Sequence, residues 1–152
     1  MPSKFPRLPL PPILLLLAIA VTYLTRGTMP RLPLPLGYGL GVTAALAAAA
    51  LLFPAAWHFG KADTTLDPAR PERSTTLVTE GVHARSRNPM YIGEVLLVAA
   101  VALSMNPLIG LPAAAGFWLF LDRVQIPAEE RALAARFGAD YADYRARVPR
   151  WL

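Results

Sequence analysis

Two polar clusters interrupt an otherwise apolar chain, and they hold the side chains best able to do chemistry. The first, STTLVTEGVHARSRNPMYIGE, runs Ser74–Glu94, and the second, DRVQIPAEERAL, runs Asp122–Leu133. Cysteine is absent, which removes thiolate chemistry and disulfides, and two histidines, His58 and His83, are too few to build a zinc site. In the first cluster, Asn88-Pro89 reads as a helix start, because Asn is a strong N-cap and proline suits the first helical position. Such a start aims Met90, Tyr91 and free backbone N–H groups at one spot, which favours an anion such as an amino-acid carboxylate. Arg85 and Arg87 can reinforce that by bidentate pairing, although both also fit the simple excess of cations beside a membrane span. In the second cluster, Glu129 and Glu130 stand together at a predicted helix start, where carboxylates also offset the helix macrodipole. Opposite a basic, aromatic cluster, a carboxylate can instead hold ribose hydroxyls or a cation. Glu94 lies inside an apolar run, where a charge is costly; it is a functional candidate, unless it snorkels or pairs with Arg123.

These clusters need elements to bring them together. The chain has 152 residues, 55% hydrophobic and 16% charged, too apolar for an average soluble domain. Its apolar residues are bunched into runs suited to lipid: Pro9–Leu24, Leu32–Phe59, Gly93–Met105 and Pro107–Leu121. The expected architecture is all-α and multi-pass, with about four transmembrane helices and a C-terminal amphipathic helical segment. Asn106-Pro107 leaves almost no loop, so the third and fourth helices should form a tight antiparallel hairpin. The hairpin is the physical reason for both polar clusters to emerge at one membrane end. Gly37 and Gly41, four apart, allow close approach of another helix, within the chain or from a second copy. Two regions follow: 1–56, an N-terminal helix pair, and 57–152, which carries the chemistry. Lys4 and Arg7, then an apolar run and Ala18-Ile19-Ala20, imitate a secretory signal, but a second span follows almost at once, which favours a retained first helix.

The net charge is +5. The positives sit beside apolar runs rather than in any nucleic-acid module, so they read as topology determinants and not as a nucleic-acid surface. With alternating spans, only Arg26 and Arg31 fall on one side, which places both termini and the loop Lys61–Arg87 in the cytoplasm. Lys4 and Lys61 are the only lysines, a bias that points to GC-rich coding and a bacterial inner membrane. Beyond the fourth span, Leu133, Phe137, Tyr141, Tyr144 and Val148 mark one apolar face of a helix interrupted near Gly138, and Trp151 reads as an interfacial anchor.

Three strings occur in order around the expected hairpin: T-L-V-T-x-G-V-x-x-x-x-R-N-P-M-Y-x-G at Thr76–Gly93, E-E-x-x-L at Glu129–Leu133, and F-G-x-x-Y-x-x-Y at Phe137–Tyr144. Over residues 54–152 the chain resembles the isoprenylcysteine carboxyl methyltransferase family, whose pattern is shared by related bacterial phospholipid methyltransferases. The resemblance implies a membrane enzyme that binds S-adenosyl-L-methionine on its cytosolic side. It implies cofactor contacts at Thr75, Thr76, Leu77, Val78, His83, Asn88, Pro89, Met90, Tyr91 and Glu129. The family often has an aromatic ring in place of His83, and its eukaryotic members have histidine in place of Asn88. It also has an acceptor-binding arginine before the acidic pair, for which Arg123 is the nearest candidate despite its different spacing.

The chemistry of such a reaction suits these residue types. A sulfonium is a cation that the face of Tyr91 can hold. Methyl transfer to a carboxylate disperses charge, so a closed pocket that aligns donor and acceptor accelerates it by positioning and desolvation. Transfer to an amine needs a base as well, for which Glu94, Glu130 or His83 is available. The candidates for acceptor binding and catalysis are therefore Arg87, Glu94, Arg123 and Glu130. The expected acceptor is lipidic or hydrophobic and arrives from the bilayer. The main alternatives are phospholipid N-methylation and a non-catalytic lipid-binding protein.

Overall fold

The computed structural model describes residues 10–28, 31–61 and 75–152. The expectations that rest on Lys4, Arg7, Pro9, Ser74 and most of the loop after Lys61 lie outside the described residues. Among the described residues the regular structure is helical throughout. It comprises α1 (Leu10–Leu24), α2 (Leu34–Lys61), a 3-10 turn (Gly81–Ala84), α3 (Pro89–Met105), α4 (Pro107–Phe120), a π turn (Leu121–Gln125) and α5 (Ile126–Arg147). By length and hydropathy, α2 and the continuous stretch that begins with α4 could each cross a membrane, whereas α1 and α3 are shorter apolar helices. The large outward side chains are apolar too: Phe53 and Trp57 of α2 are 74% and 73% exposed, as suits a surface solvated by lipid.

Small residues set the closest packing. A Cβ on Gly41 would come within 2.8 Å of the Ala100 carbonyl oxygen, and one on Gly93 within 2.6 Å of Leu52 Cγ. Glycine is needed at both positions for α2 and α3 to touch along their backbones. Gly37 faces Leu103 and Gly41 faces Ser104, while Gly93 faces Ala48, so the two helices run antiparallel. The glycine pair of α2 therefore serves contact within the chain.

Asn106 is the one residue between α3 and α4. Its Oδ1 accepts from the Ile109 N–H at 3.4 Å, which caps α4, and its Nδ2 donates to the Thr25 carbonyl at 2.8 Å. This buried amide thus ties the end of α1 to the α3–α4 junction with its hydrogen-bonding groups satisfied. Thr22 in α1 is fully buried beside Gly110 of α4. Ala18, Phe117, Leu121, Ile126, Val98 and Tyr91 form the main core, so α1 belongs to the packing that holds the polar clusters.

The second polar cluster does not begin a helix. Phe120, Leu121, Gln125 and Ile126 all keep right-handed helical angles, so α4 runs into α5 through the π turn. Widening the helix by one residue accommodates Pro127, which has no N–H to donate and whose ring would clash in a regular turn. Glu129 and Glu130 are consequently mid-helix, and the macrodipole does not explain them. The helix bends instead at Gly138 (φ 51°, ψ −118°), as its sequence predicts, because φ is positive there. Beyond the bend, Tyr141, Tyr144 and Val148 pack against Leu77, Leu133 and Phe137.

Candidate functional site

The R-N-P-M-Y segment meets the π turn and the start of α5 on one side of the core, where it forms two adjoining networks. In the first, Tyr91 is buried, and its hydroxyl donates to Glu129 Oε1 in a short hydrogen bond. Gln125 Nε2 donates to the same oxygen at 2.7 Å. Glu94, one helical turn along α3 from Tyr91, lies close enough to Glu129 for the two carboxylates to repel each other. Its Oε2 is buried with no hydrogen-bond partner among the described residues. Among the described residues this half of the site is acidic and aromatic and holds no cation.

The second network is ionic. Arg87 Nη2 lies 3.1 Å from Glu130 Oε1, and Arg150 Nη2 lies 2.8 Å from Glu130 Oε2. Arg150 Nη1 also pairs with Asp122 Oδ1 at 3.1 Å, and Trp151 Nε1 donates to that oxygen at 3.0 Å. Hydrogen bonds donated to Glu130 hold the Arg150 guanidinium above its ordinary pKa, so it remains a fixed cation. Arg87 is unlike Arg150 in one respect. Its side chain is only 9% exposed, yet Nε and Nη1 have no hydrogen-bond partner among the described residues. Buried guanidinium donors left open in this way cost free energy unless a ligand meets them.

Asn88 departs from its expected role. It holds the N-cap position of α3, with Pro89 following, but its side chain makes no capping bond. Asn88 Nδ2 instead donates to the Arg150 carbonyl at 2.9 Å, and the Asn88 N–H donates to Ser86 Oγ at 3.1 Å. The Asn88 side chain therefore does not cap the first turn of α3.

The remaining candidates divide. Pro89 and Met90 flank Tyr91 at the start of α3, with Pro89 buried. His83 is buried against Phe59, and its carbonyl accepts from the Tyr144 hydroxyl at 2.7 Å. Burial first, and the charge of His58 second, push its pKa down to about 4. Leu77 packs on the Tyr141–Tyr144 cluster, Val78 is half-buried, and Thr75 and Thr76 are exposed. Arg123 joins the second network at its exposed edge, through Asp122. Its side chain is 74% exposed and pairs with Asp122 through Nε at 3.2 Å, and it does not neutralise Glu94. The winding of the π turn directs Asp122 inward and leaves Arg123 outside.

Sequence reasoning missed Arg150, Asp122, Gln125 and Ser86. The acidic excess of DRVQIPAEE calls for a cationic partner, but nothing local shows that it comes from Arg150, 20 residues beyond Glu130. Trp151, read as an interfacial anchor, is half-buried and tied to Asp122.

Comparison with known proteins bears on this arrangement. Protein-S-isoprenylcysteine O-methyltransferase B of Arabidopsis thaliana is 36% identical over 91 residues, which cover 59% of this chain and 46% of that protein. Protein-S-isoprenylcysteine O-methyltransferase of Mus musculus is 40% identical over 76 residues, 49% of this chain and 26% of that protein. The Homo sapiens protein of the same name is 38% identical over 76 residues, with the same two coverages. The chain thus spans less than half the length of these curated relatives. No solved structure matches it. The phospholipid methyltransferase family matches residues 36–140, from the first turn of α2 to just beyond the bend in α5, and so takes in the first network and, of the second, Arg87, Asp122 and Glu130. A match over more than half of the chain makes it a member of the phospholipid methyltransferase family.

Proposed function

We propose that the protein is an integral membrane, S-adenosyl-L-methionine-dependent methyltransferase that O-methylates the carboxylate of a lipidic acceptor, in the manner of isoprenylcysteine. The observation that carries this reading is the buried Arg87, with two open donors, one turn before the acidic and aromatic half of the site. The cofactor supplies an electrophilic methyl group on a cationic sulfonium. The residues fit it: Tyr91, Glu94 and Glu129 form a half-site of the opposite charge, and Glu94 Oε2 is buried without a partner. Both hydrogen bonds described for Glu129 fall on Oε1, which leaves Oε2 to accept from ribose hydroxyls. An acceptor carboxylate is repelled by that half and drawn to Arg87, so the electrostatics sort the two reactants into adjacent places. Holding them there, away from water, accelerates the transfer. Glu130 orients Arg87 and has no part as a base.

Four helices, α1 to α4, cross the membrane in this reading, with α3 and α4 as the hairpin that carries the site. The positive-inside pattern puts the site and both termini in the cytoplasm of a bacterial cell. Residues 57–152 supply the reacting groups and 1–56 the supporting helix pair. An apolar groove of about 380 Å³ between α1 and α4 reaches Phe117 and Phe120, which pack in the same core as Tyr91. It offers the acceptor's apolar chain a way in from the bilayer. The names of the relatives support a prenylated cysteine carboxylate as the acceptor class. One observation favours a second reading, phospholipid N-methylation: the unpartnered oxygen of Glu94 is placed to remove a proton from an amine.

The test is transfer of a labelled methyl group in detergent with a prenylcysteine analogue and a phospholipid extract. A base-labile methyl ester is expected. Base-stable label in phosphatidylethanolamine derivatives would overturn the carboxyl reading in favour of the second. No binding of S-adenosyl-L-homocysteine at millimolar concentration would sink both and leave a non-catalytic lipid-binding protein.

A further inference from the structure

Arg150 lies outside the family's matched region, yet it reaches into the ionic half of the site. Its guanidinium joins Glu130 to Asp122, and its carbonyl accepts from Asn88 Nδ2 at 2.9 Å and from Ser86 Oγ at 3.3 Å. The preceding carbonyl, that of Pro149, accepts from the Arg87 N–H at 3.0 Å. The strand of chain after α5 thus holds the backbone of Arg87 and Asn88 directly. Among the described residues it reaches the Arg87 side chain through Glu130.

That indirect route has a consequence. A carboxylate and a guanidinium prefer a two-pronged pair, and Glu130 left alone with Arg87 would close on it with both oxygens. Arg150 takes the two-pronged place itself, with Nη2 on Glu130 Oε2 at 2.8 Å and Nε on Oε1 at 3.3 Å, so Arg87 shares Oε1 alone, through the single nitrogen Nη2. Nε and Nη1 stay open as a result. We propose that Arg150 is a positioning residue that keeps Arg87 available to an anionic acceptor by competing for Glu130. This rests on the reading of Arg87 as the group that holds the acceptor carboxylate. Arg150 itself touches neither reactant. Its loss tightens the Arg87–Glu130 pair rather than loosening it, which a merely structural part would not do.

The experiment compares the full-length protein with Arg150→Gln and Arg150→Lys. With a prenylcysteine acceptor, Arg150→Gln should raise the acceptor KM about tenfold, with kcat and the cofactor KM within about twofold. Arg150→Lys retains a charge on Glu130 and should recover part of the loss. A second readout needs no turnover. In arginine-labelled protein, the Arg87 Nε–H resonance, assigned through Arg87→Lys, should move in Arg150→Gln as Glu130 captures that donor. An unmoved resonance overturns the proposal whatever the kinetics show. Equal losses in kcat and both KM values, accompanied by a lower melting temperature, also overturn it, because they report a structural part alone. A moved resonance in a protein that methylates nothing upholds the Arg150–Glu130–Arg87 coupling and defeats the functional reading instead. If Arg150→Gln does not fold, Arg150→Met, which likewise frees Glu130, carries the same resonance test.

Discussion

Glu129 and Glu130 are neighbours in sequence and opposites in environment. Glu129 accepts hydrogen bonds from two neutral donors, Tyr91 and Gln125, and has another carboxylate, Glu94, close by. Glu130 is enclosed by the guanidinium groups of Arg87 and Arg150. One residue of helix rotates a side chain by about 100°, enough to send two identical groups into two networks. Among the described residues the charge of Glu130 is already compensated, whereas that of Glu129 is not. A carboxylate with its charge compensated holds structure, and one without is ready for a cation from outside. In the proposed function the E-E pair is one structural and one cofactor-binding residue, which substitutions should separate.

The largest expected effect is on the ligand side. Glu129→Ala should weaken S-adenosyl-L-homocysteine binding by about 100-fold or more, near the cost of losing a buried charge-assisted contact. The fold should survive, because Tyr91 and Gln125 lose an acceptor without leaving a bare charge behind. Calorimetry in detergent checks binding, and circular dichroism checks the helices. Glu94→Ala should spare that binding, and if the two variants behaved the other way round the carboxylates would have exchanged roles. On the structural side, Glu130→Ala leaves Arg87 buried without its counter-ion. It should destabilise the protein by about 3 kcal/mol, the lower end for a broken buried pair because Arg150 is partly exposed. Unfolding in a denaturing detergent measures it. Equal stability losses for the two alanine variants would erase the contrast.

Much of this arrangement was legible in the sequence, and the part that was not has a common cause. The helices follow from apolar runs, the α3–α4 junction from Asn106-Pro107, and the bend in α5 from Gly138, all of them local signals. The pairing of R-N-P-M-Y with E-E was legible too, because the junction brings the ends of α3 and α4 together. What escaped depends on distant partners. Asn88 reads as a capping residue until the Arg150 carbonyl, 62 residues on, is found to claim its amide. Glu129 and Glu130 read as standing at a helix start until a π turn carries the helix on from α4. Arg123 reads as the nearest candidate for an acceptor-binding arginine until the winding after α4 leaves it exposed, while Arg150 reaches Glu130. The Gly37–Gly41 pair reveals its partner only once α3 lies against it.

A smaller effect tests whether the first polar cluster behaves as one body or two. His83 belongs with Phe59 and Tyr144, on the side of Leu77 rather than that of Tyr91. Its pKa is pushed down to about 4 from the ordinary 6.5, so at neutral pH the imidazole is uncharged in both the folded and the unfolded chain. As pH falls through 6.5 the unfolded chain takes up a proton that the folded chain refuses. Stability must therefore decline between about 6.5 and about 4, and the decline stops once the folded form protonates as well. Unfolding midpoints measured across that window should show the loss, and His83→Phe, which has nothing there to titrate, should flatten the His83 part of it. The Arg87–Glu130–Arg150 network is built from other side chains than the His83 cluster. Its Arg87 Nε–H resonance should hold still from pH 7 to 6 while the stability begins to fall. Movement of that resonance over the same range would mean that the His83 side and the Arg87 side are coupled, and the cluster would then be a single body.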